Sequence, residues 1–216
     1  MDTLSGVGVL DKALVILGLL ERGSRSLGEL VEASGFSRAT THRLAQALEL
    51  HGLVRRDPEA RYTLGSRLIT LGHLAAAAFP LAEAARPTLA TLRDETGESV
   101  QLYVAEPGGR RCVVAVDSPH ELRAIVEEGS LLPLDRGSAG RLLTGVSPGS
   151  SGWLETVGDR QAGVASVSAP VVSSTGVTIA ALSVSGPIDR IGRSPGRRHG
   201  RAAVAAAERI AALLER

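Results

Sequence analysis

Residues 26–52 are punctuated so closely that few folds accommodate them. Ser26-Leu-Gly-Glu29 spells a capping box, in which a serine hydroxyl and a glutamate carboxylate satisfy the free N–H groups of a helix start. The helix it opens is predicted over about Leu27 to Ser34. Gly35-Phe36-Ser37 interrupts it, and Ser37 is a favourable N-cap for a helix from Arg38 to His51, stopped by Gly52. Upstream, Leu10, Ala13, Leu14, Leu17 and Leu20 recur at helical spacing, one apolar stripe of an amphipathic helix that Gly23 closes. Two short helices joined by a short turn containing glycine form a helix-turn-helix.

In that arrangement the second helix enters the major groove. A helical wheel turns Leu44, Ala47 and Leu48 to the core, and Arg38, His42, Arg43 and Gln46 away from it. Such side chains can donate to phosphates and to purine edges. An ordinary solvated helix face carries the same residue types. The next segment separates the two. Leu53–Asp57 and Arg61–Leu64 flank Pro58-Glu59-Ala60, which predicts a hairpin with Arg55, Arg56 and Arg61 clustered on it. A hairpin directly after a recognition helix is a wing, and its arginines reach backbone phosphates or the minor groove. Lys12 is the one lysine among 24 basic side chains, so the cationic chemistry is guanidinium chemistry.

The strings VGVLDKALVILGLLE, LGELVEASGFSRATTHRLAQALELHGLV and RYTLGSRLITLG resemble the N-terminal domain of IclR-type transcriptional regulators. The resemblance implies that Ser37, Arg38, Thr40, Thr41, His42 and Arg43 meet DNA. The outward face and the wing add Gln46, Arg55, Arg56 and Arg61. Thr40 and Thr41 lie nearer the apolar side of the wheel, so their hydroxyls are expected at phosphates.

Farther along, the Ala- and Leu-rich stretch 66–79 predicts a helix that Pro80 ends, and the resemblance makes it a linker. Leu81 to Thr96 reads as helical, with a fresh turn at Pro87. Strands are predicted at 100–105, 111–116, 122–126, 164–172 and 177–185, a short helix at 137–143, and a closing helix over about 195–214. Together these give an α+β domain with an antiparallel sheet. LRDETGESVQLYV, DRGSAGRLL and GVASVSAPVVSSTGVTIAALSVSGPIDR resemble the IclR effector-binding domain, a GAF-like fold. The spelling looks closest to the NdgR/LtbR-type branch, regulators of leucine and related amino-acid biosynthesis. The expected organisation is a winged helix-turn-helix at 5–66, a linker helix at 67–79 and an effector-binding domain at 80–216. One departure stands out. A segment that family members carry between the DRGSAGRLL helix and the following strand shrinks here to the loop 144–152, which makes the pocket shallower, more open or absent.

Position by position, the resemblance implies a pocket of Leu132, Ser138, Ala139, Thr156, Val164, Ser166, Ser183 and Ser185. Hydroxyls and the N–H groups at the start of the 137–143 helix could hold the carboxylate of a small amino or keto acid. Alternate serines on a half-buried strand also occur as plain small-residue packing.

The remaining features narrow the function class. With 44% hydrophobic and 22% charged residues the chain is globular, and its net charge of +1 does not by itself announce a nucleic-acid binder. A single cysteine, Cys112, excludes an intramolecular disulfide and reads as a buried, inert thiol. The histidines at 42, 51, 73, 120 and 199 lack metal-ligand spacing. Asp117-Ser118-Pro119-His120 places three suggestive residues together, but triads assemble through space rather than along a turn. Arg190, Arg193, Arg197, Arg198 and Arg201 form a basic stretch, read as a solvated loop or a second DNA contact. The longest apolar run, Ala13–Leu20, is too short to cross a membrane, and the first residues lack a basic signal region, so a cytoplasmic protein is expected. The resulting expectation is a one-component repressor without a cofactor. Its partners are operator DNA, a small carboxylate effector and further copies of itself in a homodimer or homotetramer. Two alternatives stand beside it: a ligand-blind DNA-binding regulator whose shortened domain serves only oligomerisation, and an enzyme on the α+β domain.

Overall fold

The computed structural model describes residue 5, residues 7–77 and residues 80–214. The chain divides into two compact units, Met1–Ala78 and Phe79–Arg216.

The first unit runs α1 (Gly8–Leu20), α2 (Leu27–Ser34), α3 (Arg38–Leu50), β1 (Val54–Arg56), β2 (Tyr62–Leu64) and α4 (Arg67–Ala77). The punctuation acts as the sequence predicts. Glu29 N–H donates to Ser26 Oγ, and Ser26 N–H donates to the Glu29 carboxylate at 2.6 Å. Gly35 ends α2 in the left-handed region at φ +69°. Ile16, Leu20, Leu30, Leu44, Ala45, Leu48, Val54 and Tyr62 form the core. Two predicted faces shift. On α1, Leu10 and Leu14 are exposed, and Ile16 with Leu20 fills the core instead. On α3, Ala47 is exposed, and Thr41 and Ala45 join Leu44 and Leu48 inside. The wing is short. Asp57 Oδ1 accepts from the N–H groups of Glu59 and Arg61, which fixes its tip. Arg25 adds a bridge to Tyr62 beside the hairpin. Residues 78 and 79, the end of the expected linker helix, lie outside the described residues.

The second unit contains α5 (Pro80–Thr96), β3 (Ser99–Glu106), β4 (Gly109–Val116), β5 (Leu131–Leu132), α6 (Gly137–Leu143), β6 (Leu154–Val157), β7 (Val164–Val172), β8 (Thr178–Pro187), α7 (Ile188–Ile191) and α8 (Pro195–Leu214). Its sheet is antiparallel, in the order β5-β4-β3-β8-β7-β6. α5 continues through Pro87 without a break. Period-two alternation divides the sheet. Val100, Leu102, Val167, Leu182 and Val184 pack with Leu89, Leu92, Ala203, Ala206 and Ile210 of α5 and α8. Tyr103, Cys112 and Ala181 pack with Ala139 and Leu142 of α6.

The expected strand at 122–126 does not form. Ala124 and Val126 are buried with exposed Ile125 between them, but Leu122, which a strand would place on the face of the buried pair, is exposed, so the alternation covers only 124–126. The edge of β4 is already taken, because Cys112 N–H donates to Ser130 and Gly129 N–H to Cys112, with β5 pairing farther along. A segment with no free edge to pair with stays a loop.

Trp153 fixes α8. A Cβ at Gly200 would lie 2.5 Å from Trp153 Cδ2, and one at Gly196 would collide with the indole nitrogen. Glu155 accepts from Gly196 N–H at 2.6 Å, which satisfies a free donor of the α8 start. Gly200→Ala therefore sets two effects against each other. The helix gains about 1 kcal/mol of propensity, while overpacking against the indole costs about 1–3 kcal/mol. We expect net destabilisation in a urea titration, and a stabilised variant would show that Trp153 yields freely.

Candidate functional site

Two sites are built from these elements, one in each unit. On α3, Ser37 caps the helix by accepting from Thr40 N–H and donating to Thr40 Oγ1 at 3.0 Å. Thr41 Oγ1 donates to the Ser37 carbonyl at 3.1 Å, and Thr41 is fully buried. The expectation that Thr41 meets DNA is therefore corrected: its hydroxyl is spent inside the helix and no surface of it reaches solvent. Thr40 is half-buried and already bonded to its cap. Arg38, Arg43 and Gln46 are exposed and His42 half-buried, and their side chains make no hydrogen bond among the described residues. A row of unspent donors on the outer face of a capped helix can meet acceptors on DNA.

The three wing arginines differ sharply. Arg55 is exposed and makes no side-chain hydrogen bond among the described residues. Arg56 lies 4.7 Å over the Tyr62 ring, donates to Tyr62 Oη at 2.9 Å and pairs with Glu49 at 3.4 Å. Arg61 donates to the Ser24 hydroxyl and carbonyl and to Glu29 Oε2 at 2.7 Å. Arg61 is expected at DNA; in the structure its fork braces the wing against the start of α2. The Ser26 amide and hydroxyl and the Arg61 guanidinium together hold the Glu29 carboxyl at about 2, far below the usual carboxylate range. Whatever stability this contact supplies is complete above pH 4.5 and disappears as the pH falls through about 2.

In the second unit, seven of the eight residues expected at a ligand pocket line one cavity beneath α6: Ser138, Ala139, Thr156, Val164, Ser166, Ser183 and Ser185. Leu132 is not brought to it; it pairs with Arg110 in the sheet and packs in the α6 core. The cavity is about 20 Å³, room for little more than one water. Its hydroxyls bond one another. Ser138 Oγ lies 2.9 Å from Ser166 Oγ and 2.7 Å from Ser168 Oγ, and Thr156 Oγ1 lies 3.1 Å from Ser166 Oγ. Two of the free N–H groups at the α6 start, expected to be available for a carboxylate, already have partners within the chain. Gly137 N–H donates to Asp159 Oδ2 at 2.8 Å and Ser138 N–H to Thr156 Oγ1 at 3.1 Å, while Arg141 pairs with the same Asp159 oxygen.

Sequence reasoning missed Gln101, Tyr103, Arg110 and Arg160, which line the same cavity. The signal for two of them was present: Gln101 and Tyr103 alternate with Val100, Leu102 and Val104, so period two puts both on the opposite face from that apolar row.

Other candidates dissolve. Ser118 donates to the Gly97 carbonyl and Asp117 pairs with Arg123, so the 117–120 turn assembles no triad. Cys112 is buried, and burial lifts its thiol to about 12, which leaves it inert. Within the basic stretch, Arg190 is only partly exposed: it forks onto buried Glu98 with two bonds of 2.7 Å. Arg193, Arg197, Arg198 and Arg201 are exposed.

The architecture is that of a helix-turn-helix unit followed by an α+β unit. The family description "IclR helix-turn-helix domain" matches residues 9–58, and "Bacterial transcriptional regulator IclR C-terminal" matches residues 73–151. The chain is 25% identical over 217 residues to the glycerol operon regulatory protein of Streptomyces griseus, across 84% of this chain and 85% of that one. It is 28% identical over 122 residues to the transcriptional repressor IclR of Escherichia coli, across 55% of this chain and 44% of that one. Its fold matches an IclR homologue from Microbacterium hydrocarbonoxydans crystallised with 4-hydroxybenzoate, at a TM-score of 0.80 and 19% identity, over 96% of this chain and 99% of that one. The chain belongs to the IclR family of transcriptional regulators, and its N-terminal helix-turn-helix is a DNA-binding domain. Among the described residues no helix is long and apolar enough to cross a membrane.

Proposed function

We propose that the protein is a cytoplasmic repressor that reads an operator with α3 and answers to a small carboxylate metabolite. The observation that carries this reading is the outer face of α3, where Arg38, Arg43 and Gln46 stand exposed and, among the described residues, unbonded, while the Ser37 cap and the buried Thr41 hydroxyl hold the helix. Residues 5–66 then form the DNA-binding domain, 67–79 the linker and 80–216 the effector domain. Genes of leucine or related amino-acid biosynthesis are the proposed targets, in keeping with the sequence resemblance. Two copies act together, because one module covers little DNA and paired half-sites multiply affinity. Exposed Val9, Leu10 and Leu14 on α1 and Ile69 and Leu74 on α4 supply apolar surface for that pairing.

Binding to DNA from upstream of the protein's own gene, titrated with salt, tests the reading. Arg55→Ala should lower the slope of log affinity against log salt by about one, the loss of a single phosphate contact. Arg61→Ala should leave that slope nearly unchanged and instead lower the melting temperature. Equal slopes for wild type and Arg55→Ala would remove the wing from the DNA.

The cavity's small size and the Asp159 carboxylate seated at α6 favour a second reading, a regulator that binds DNA without an effector. Operator affinity unchanged by any small acid would support it.

A further inference from the structure

Lys12 is the chain's one lysine, and neither site described above uses it. It lies on α1 four residues before Ile16, and Val9 lies seven before, so all three share one helical face. Only the later part of that face enters the core. Ile16 and Leu20 are buried, whereas Val9 and Lys12 are exposed. Those two residues form one wall of an open cleft of about 460 Å³, and Thr40, Arg43, Leu44 and Ala47 of α3 form the other. Leu10 and Leu14, on the neighbouring face of α1, do not line it.

Charge and position both fit this cleft to the backbone of a nucleic acid. The charged residues of its lining are both cations, Lys12 and Arg43, and no carboxylate lines it. Neither side chain makes a hydrogen bond or ion pair among the described residues. Two like charges on one cleft repel, and an anion between them turns that repulsion into attraction. The Lys12 ammonium lies 5.9 Å from the centre of the Phe36 ring, within reach of a cation–π attraction. Phe36 immediately precedes Ser37, the cap of α3, so the ring holds the ammonium beside the first turn of that helix. Thr40 adds a hydroxyl on the same side. An ammonium is a compact point charge on a flexible stem. It serves a single phosphate oxygen, whereas the planar guanidinium fork is the better reader of a bidentate acceptor.

We propose that Lys12 is a DNA-backbone contact: its ammonium binds a phosphate of the operator strand that α3 reads, and the apolar walls of the cleft between α1 and α3 receive the adjoining deoxyribose. This rests on the operator reading above. It gives α1 a part in binding besides packing and pairing. A phosphate contact fixes the register of α3 on the duplex and carries no base preference of its own.

The test uses the full chain, a duplex from upstream of the protein's own gene and a scrambled duplex of the same length, with affinities read by fluorescence anisotropy across a salt series. Lys12→Ala should weaken binding to both duplexes about 10-fold, the loss of one hydrogen bond to a charged acceptor. It should also lower the slope of log affinity against log salt by about one on both. Its melting temperature and its self-association, measured by sedimentation, should match the wild type, because the side chain is exposed and alanine favours a helix. Lys12→Arg, which keeps the charge, should restore affinity and slope. An unchanged slope in Lys12→Ala overturns the proposal. So does an affinity loss that comes with weakened self-association, which would assign the cleft to a second copy of the chain. Arg43→Ala on the same duplexes keeps the two questions apart. If it weakens binding while Lys12→Ala does not, the reading of α3 stands and only this inference falls.

Discussion

Arg43→Ala is expected to lower operator affinity about 10- to 100-fold, the range of one lost side-chain contact to a base edge or phosphate. The same variant should melt like the wild type. Arg43 is exposed, bonds to nothing among the described residues, and sits within α3, where alanine is at least as good a helix former. Fluorescence anisotropy on the operator fragment and a thermal melt, made on one preparation, separate the two effects. Thr41→Val is the informative contrast. It removes a hydroxyl whose bond goes to the Ser37 carbonyl, so its effect should appear in the melt and reach DNA only through the helix start. An Arg43→Ala protein with native melting and native affinity would take α3 out of the groove.

Glu98→Ala should destabilise the second unit by about 2–4 kcal/mol, toward the lower part of the range for breaking a buried ion pair because Arg190 is partly exposed. For a unit of this size that is a fall of roughly 5–15 °C in melting temperature. Glu98 is 2% exposed, Arg190 reaches it with two parallel bonds, and Gly186 lies so close that any Cβ there would collide with the carboxylate. Removing the carboxylate leaves that guanidinium with the Leu122 carbonyl as its one partner among the described residues. Glu98→Gln keeps the shape and one acceptor and should lose less. The contact between Arg93 and Asp94 marks the other extreme: Asp94 is 71% exposed, and its removal should change almost nothing. A Glu98→Ala protein as stable as the Asp94 variant would mean that water replaces the carboxylate at no cost.

Where structure follows from neighbours in the chain, the sequence was legible. The spans of α2 and α3 follow from Ser26, Glu29, Gly35 and Ser37, because each cap is a contact among residues at most a few positions apart. The serines of β7 and β8 share a face because strands alternate, and the cavity collects them for that reason. Long-range contacts were not legible. Arg61 reads as a free wing arginine until Ser24 and Glu29 come beside it, and Arg190 as a solvated one until Glu98 does. Thr41 is buried, as the apolar side of the helical wheel implies, where the family resemblance sets it at DNA. Arg110 could not be found from alternation alone. Its place under α6 depends on the pairing of β4 with β3 and β5, and that register is interrupted between Leu102 and Tyr103.

The indole seated on Gly196 and Gly200 has an optical consequence. Trp153 is the chain's one tryptophan, and it belongs to the second unit. Its emission follows the docking of α8 and is silent about the helix-turn-helix, whereas far-ultraviolet dichroism records helices of both units. Heating the protein while recording both signals therefore resolves whether the two units unfold together or in sequence. The same emission offers an intrinsic reporter of any ligand that reshapes the sheet near β6, with no label attached.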